Sequence, residues 1–396
     1  MRQQRTEAGI TLVELLIAMA LTLILIGPLL SFLRAAQVSR SAAIRLTDIE
    51  QNARAAMLAI SRDIQNAGYN FAPRVNLGAS AIMRPLVVPS GVTELTPIIP
   101  GNNVNLIRGA NWAPSSPVMS RTDQITLVSV SQSFNNGLPL SGTLTINNSA
   151  SRFTYNSDAT FNNLYVGDFV LLSSGQIFAI GVVTAISGNQ IVLDNNATND
   201  PYGINQAPAG PISLLDPIPQ TGVNISLYKF SLITYFVDEF GNLIRREQLT
   251  PPHTTRGGNS AMTAAAFPSA DSREYNCGAP LTCYYDNIIA IGIEDLQFRY
   301  YVADPSATGL SGFINDPGYY GSTAAGVSAA LANRGAAPNF RLLDIRQVNV
   351  LIKTRAADRD TRLRDPYNRN AGYIYRFSLE GTFNTRNFYG ADYRPV

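Results

Sequence analysis

Residues 6–33 read TEAGITLVELLIAMALTLILIGPLLSFL. From Ile10 to Leu33 the stretch holds no Lys, Arg or Asp. As a helix rising 1.5 Å per residue it extends about 36 Å, enough to cross a hydrocarbon layer of about 30 Å. One carboxylate, Glu14, stands inside it. Such a charge costs about 2.5–3.5 kcal/mol on insertion scales, so it calls for a partner. Arg2 and Arg5 precede the run and hold the extreme N-terminus on the cytoplasmic side, which leaves the body of the chain on the other side. The residues that follow, SFLRAAQVSR, offer a poor small-residue cleavage site and continue the helical pattern, unlike a secretory signal. Gly27 and Pro28 fall within the run. Proline lacks the N–H and clashes with the preceding turn, which predicts a break here, as a kink or a locally extended stretch.

Working outward, RLTDIEQNARAAMLAISRDIQNAGYN is amphipathic. Leu46, Ile49, Ala53, Met57, Ile60, Ile64 and Ala67 recur at spacings of three and four, with Arg45, Asp48, Glu50, Arg54, Arg62 and Asp63 mostly elsewhere. Gly68 suits a C-cap. The pattern predicts one helix over about 10–68, bent at Pro28. Residues 10–33 form its lipid or filament-core half, and residues 34–68 form an amphipathic half laid on a globular domain.

The remainder is turn-rich, with 30 Gly, 23 Pro, 18 Tyr and 17 Phe, a mix that favours strands joined by many turns. DQITLVSVSQSF, SGTLTI, DFVLLSS, QIFAIGVVTAISGNQIVLD and NISLYKFSLITYFVDEFGNLIRREQ alternate apolar with polar residues. ISGNQI and DEFGNL read as hairpin turns. The expected fold class is α+β, a long N-terminal helix on an antiparallel sheet. Residues 69–247 form a β-rich region with an inserted, barrel-like lobe over 120–220. Residues 248–287 form a surface loop, and 288–396 supply the closing strands.

Function classes thin out quickly. The single histidine, His253, lies in a loop setting without a G-x-S-x-G elbow, so a nucleophilic triad has no support. Asp358 and Asp360 in DRDTRLRD are separated by cation-repelling arginines, against a calcium loop. No phosphate loop or dinucleotide fingerprint is present. The chain is therefore expected to be non-enzymatic and without cofactor or metal. Cys277 and Cys283, in CGAPLTC, read as a local disulfide worth about 2–3 kcal/mol by chain entropy, with two unpaired thiols as the alternative. From Arg341 to Val396 there are eleven Arg or Lys against six Asp or Glu. Tyr and Phe are interleaved with them, which keeps a nucleic-acid surface in view.

The leader MRQQRTEAG, its terminal glycine and the following ITLVELLIAMAL resemble the prepilin signature of type IV pilins and type II secretion pseudopilins. The resemblance implies that residues 1–9 are a leader removed by prepilin peptidase between Gly9 and Ile10, and that Ile10 is N-methylated. Ile10 departs from the phenylalanine usual there. The resemblance also implies a type IV pilin-like fold. A new amine at Ile10 is a cation, and subunits packed with an axial stagger would bring one chain's amine near another's Glu14, a docking role for Glu14. The alternative is a glutamate at the interface snorkelling toward water. ISRDIQNAGYN, GIEDLQFRYYV and a later TRN are similar to the PilW group of minor pilins and to the related J-type pseudopilins. This implies a minor pilin that helps initiate assembly at or near the pilus tip. Its partners would be other minor pilins, the major pilin, the peptidase, the inner membrane and the assembly platform. The location implied is a single-pass inner-membrane protein with a periplasmic C-terminal domain, then the pilus on the cell surface. The alternatives are a J-like secretion pseudopilin and a tip module that binds a surface ligand or DNA.

Overall fold

The computed structural model describes residues 11–69, 71, 75–76, 94–101, 122–132, 134–146, 150–156, 164, 166–174, 177–194, 205, 224–238, 240–249, 275–278, 282–302, 312–314, 345–356, 360–364 and 372–385. Two compact units emerge, one of residues 1–51 with 356–376 and one of residues 52–355 with 377–396.

Helix α1 runs from Leu12 to Asn66 without interruption. At Gly27 and Pro28 α1 has no locally extended stretch: both residues are helical. Proline forfeits one hydrogen bond, and the remaining ladder of the long apolar run carries the helix through it despite Gly27. The helix ends where the sequence signals it. Gly68 takes φ +75°, the left-handed conformation a C-terminal cap requires. Its N–H donates to Val128 O at 2.8 Å, and the Val130 N–H donates to Tyr69 O at 3.1 Å, tying the helix end to the sheet.

Strands β1 (Val75–Asn76) and β2 (Glu94–Leu95) pair with each other, and β3 (Ile98–Gly101) pairs with β4 (Gln124–Val130). Six short strands follow: β5 (Leu140–Thr145), β6 (Ala150–Tyr155), β7 (Phe169–Ser174), β8 (Ile177–Val182), β9 (Ala185–Ser187) and β10 (Gln190–Asp194). The long β11 (Ile225–Val237) comes next, then β12 (Leu243–Leu249).

The inserted lobe is a closed barrel. The N-terminal part of β11 pairs with β5 on one edge and with β7 on the other. β5 pairs with β6, β6 with β10, β10 with β9, and β7 with β8. Two residues separate β8 from β9, and they close the ring: the Val183 N–H donates to Asp168 O and the Thr184 N–H donates to Val192 O. Its interior holds Phe134, Leu140, Phe153, Val170, Leu172 and Leu227 among others. The barrel strands span 140–229, so the lobe starts later than the 120 expected, because β4 pairs with the far half of β11 and joins the sheet under the helix. β6 had no distinct signal in the sequence, since ASRFTY alternates weakly.

That second sheet extends from β4 through β11 and β12 to β14 (Thr282–Ala290) and its hairpin partner β13 (Tyr275–Gly278). The stretch 248–287 was expected to be loop, but its last part is therefore a hairpin at the sheet edge. A four-stranded sheet follows in the order β16 (Gly312–Ile314), β15 (Ile293–Val302), β17 (Ile345–Arg355), β20 (Arg376–Asn384). β18 (Asp360–Arg364) and β19 (Gly372–Tyr373) pair separately. The turns in ISGNQI and DEFGNL form as read: Gly188 and Gly241 have φ of +56° and +79°, and the Asp238 carboxylate accepts N–H bonds from Phe240 and Asn242.

The main core lies between α1 and the sheets. Ala56, Met57, Ile60, Ile64 and Ala67 pack with Leu127, Tyr235, Leu243, Phe298 and Val350. The antiparallel sheets with this long helix across them form an α+β architecture consistent with a type IV pilin-like fold.

Candidate functional site

The N-terminal half of α1 contrasts with that core. Every residue from Thr11 to Gln37 is exposed. Leu12 to Leu33 includes 15 of the exposed large apolar side chains, Leu23 among them at 71%. The helix is long and apolar enough to cross a membrane. Its hydroxyls are satisfied internally, as a lipid or protein-core setting demands. Thr22 donates to Ala18 O at 2.6 Å, and Ser31 donates to Pro28 O at 2.7 Å.

Glu14 is engaged within its own chain. The Thr11 N–H donates to Glu14 Oε2 at 2.9 Å, and the Thr11 hydroxyl donates to the same oxygen at 3.0 Å. The Glu14 N–H donates back to Thr11 Oγ1 at 3.3 Å. This is the reciprocal capping box that T-x-x-E encodes. The signal is local, carried by Thr11, Leu12, Val13 and Glu14. Glu14 thus closes the helix's first turn. Gly9 and Ile10, the expected cleavage and methylation positions, lie outside the described residues.

On the packing half, Ile49, Ala53, Met57, Ile60, Ile64 and Ala67 are buried as their spacing predicts, while Leu46 is exposed. The larger departure is Asp63. The spacing puts it off the apolar stripe, and the structure buries it at 8% exposure. Its Oδ2 accepts a hydrogen bond from the Tyr235 hydroxyl at 2.8 Å and from Arg245 Nε at 2.8 Å. Arg62 Nε approaches Oδ1 at 3.5 Å. Tyr235 and Arg245 face each other across the β11–β12 ladder, so two neighbouring strands present both donors to one carboxylate. Burial, then the Asp63 charge, pushes the Tyr235 pKa well above the ordinary phenol range. Burial acts to lower the Arg245 pKa, and Asp63 together with Tyr235 and Glu247 outweighs it, for a net rise. Sequence alone could not reveal this cluster, because its members are separated by more than 170 positions in the case of Asp63 and Tyr235.

The other candidates fall as follows. Cys277 stands directly across from Cys283 in the β13–β14 ladder. Opposed residues in antiparallel pairs have Cα atoms about 4.5–5.5 Å apart, within disulfide reach. His253 and Asp358 lie outside the described residues, and Asp360 opens β18. Among the described residues, no three His, Cys, Asp or Glu side chains gather as a metal site. Of the C-terminal arginines, Arg346 and Arg355 on β17 are half-buried, and Arg376 on β20 is exposed. Lys229 and Lys353, the two lysines of the chain, each bind a carboxylate, Asp168 at 2.7 Å and Asp295 at 2.8 Å.

Residues 4–30 match the family model of the prokaryotic N-terminal methylation motif. The match takes in Gly9, Ile10, Glu14, Gly27 and Pro28 by position. No curated protein and no solved structure matches the chain. The motif indicates a type IV pilin- or pseudopilin-like protein. Together with the exposed apolar helix it fits anchoring in a membrane.

Proposed function

We propose that the chain is a non-enzymatic minor pilin of the PilW type. Prepilin peptidase removes residues 1–9, Ile10 is methylated, and the subunit waits in the inner membrane with its C-terminal domain in the periplasm. It then joins other minor pilins and the major pilin at the assembly platform and helps to initiate the filament at or near its tip. The observation that carries this reading is the methylation motif on a helix whose apolar N-terminal half is exposed. Apolar surface of that extent requires lipid or other helices around it. Tip placement is supported by the barrel of β5–β11, a bulky addition that suits a subunit present in few copies. A secretion-system pseudopilin shares the same apparatus. The chain is larger than is usual for the J-type member and, unlike the K-type subunit, it keeps Glu14.

In this reading Glu14 exchanges its own Thr11 cap for the amine of a neighbouring subunit on docking. Glu14→Ala should leave the protein folded and membrane-inserted but absent from sheared filaments, as read by immunoblotting of filament and membrane fractions. Undiminished incorporation would refute the role.

A further inference from the structure

The face that α1 lays on the sheet is built chiefly of Ile49, Ala53, Ala56, Met57, Ile60, Ile64 and Ala67, and the one buried hydroxyl among them, Ser61, turns back to Leu58 O in its own helix. The apolar side chains repeat every three or four residues. A slide of one helical turn, about 5.4 Å, or a small roll would bury much the same kind of surface. Hydrophobic contact is non-directional, so it holds the helix down without choosing where it sits. The turn at Gly68 ties the chain to β4, but it does so after the last helical residue, Asn66. A change of pitch at that end would let residues 52–66 shift while the tie persists.

The strands beneath are less permissive. Along the helix-facing side of β11 and β12, three cross-strand pairs succeed one another: Ile233 with Glu247, Tyr235 with Arg245, and Val237 with Leu243. Same-face pairs on a strand are about 6.6 Å apart, close to one turn of helix. Asp63 sits over the middle pair and receives a hydrogen bond from each member. The pairs on either side offer its carboxylate no donor: Val237 and Leu243 are both buried and apolar, and Ile233 stands opposite Glu247, a like charge. Glu247 already accepts the Ser231 hydroxyl at 3.1 Å and lies 3.9 Å from Arg245 Nη1. A buried charge without a partner is strongly destabilising, and a single buried polar group is well attested as a means of fixing register.

We infer that Asp63 is a positioning residue: it selects one axial and rotational setting of α1 on the sheet by pairing with Tyr235 and Arg245. In a filament assembled through α1, that setting determines how the domain is held among its neighbours. This last consequence rests on the proposed function, whereas the register lock does not.

The test uses the full-length chain in detergent micelles. Cys277→Ser and Cys283→Ser confine spin labels to Leu58→Cys, on the exposed side of α1, and Ser378→Cys, exposed on β20. The parent should give one narrow distance by pulsed electron resonance. The apolar replacement Asp63→Leu/Tyr235→Phe/Arg245→Leu should still unfold cooperatively, yet its distance should broaden or gain a second population displaced by about 5 Å, one helical turn. The parent's single narrow distance in that variant would overturn the inference. Should the triple variant not unfold cooperatively, Asp63→Leu/Arg245→Met is read the same way. If neither folds, the cluster serves the fold and not the register, which also overturns it. Because the label distance is read on isolated chains, it is independent of the Glu14→Ala filament result.

Discussion

Leu23 and Ile60 belong to one uninterrupted helix and are nearly the same size, but Leu23 is 71% exposed and Ile60 is wholly buried. The two halves of α1 are stabilised from different sources. Residues 52–66 owe their helix to tertiary packing on β4, β11, β15 and β17. Residues 12–33 receive none of that, and their helicity rests on propensity, an internally satisfied backbone and the Thr11–Glu14 cap. The lesson is that apolar character alone does not say what covers a helix. The C-terminal half carries one buried carboxylate with donors from its own chain, and the N-terminal half carries one near its start with only a local cap.

Substitutions can break this contrast or sharpen it. The largest effect is expected for Asp63→Ala, which leaves the buried Tyr235 hydroxyl and the partly buried Arg245 guanidinium without their acceptor. A loss of about 3–5 kcal/mol is the usual cost of opening a buried pair, read as a fall in the denaturant midpoint. Ile60→Ala follows, at about 2–4 kcal/mol, from lost burial and the cavity left behind. Tyr235→Phe should cost about 1 kcal/mol at neutral pH for one lost hydrogen bond.

That last variant also carries a pH signature. The folded-state pKa of Tyr235 is raised, so its stabilisation is fully present below the unfolded phenol value of about 10 and is lost as pH rises beyond it. The stability difference between the parent and Tyr235→Phe should therefore narrow above about pH 10. A difference that stays constant across that range would contradict the buried, protonated tyrosine. The smallest effect belongs to Leu23→Ala, within about 0.5 kcal/mol for unfolding of the globular unit, because its side chain is 71% exposed. A substantial loss there would erase the distinction between the two halves.

Much of this was legible in the chain itself. The periodicity of Ile49 through Ala67, the Gly68 stop, the Gly188 and Gly241 turns and most strands are local signals, and local signals survive in the structure. Pro28 shows where a local rule is overridden, since one absent hydrogen bond does not end a helix of 55 residues. Asp63 shows the opposite limit. A charge reads as solvent-facing until two strands far along the chain bring Tyr235 and Arg245 to it. The barrel was legible as alternating strands, but its closure depends on β8 running into β9 and on β11 serving two sheets, which no stretch of sequence announces. The opposition of Cys277 and Cys283 is likewise a matter of register.

The central claim is that α1 enters its working environment with a new N-terminus at Ile10 and keeps its apolar half. Intact-mass and N-terminal peptide mass spectrometry of the protein from peptidase-competent cells tests this most directly. The account predicts a mature chain that begins at Ile10, bears a methyl group on its amine and retains residues through Leu33. A chain that still begins at Met1, or one that begins downstream of Leu33, would contradict it.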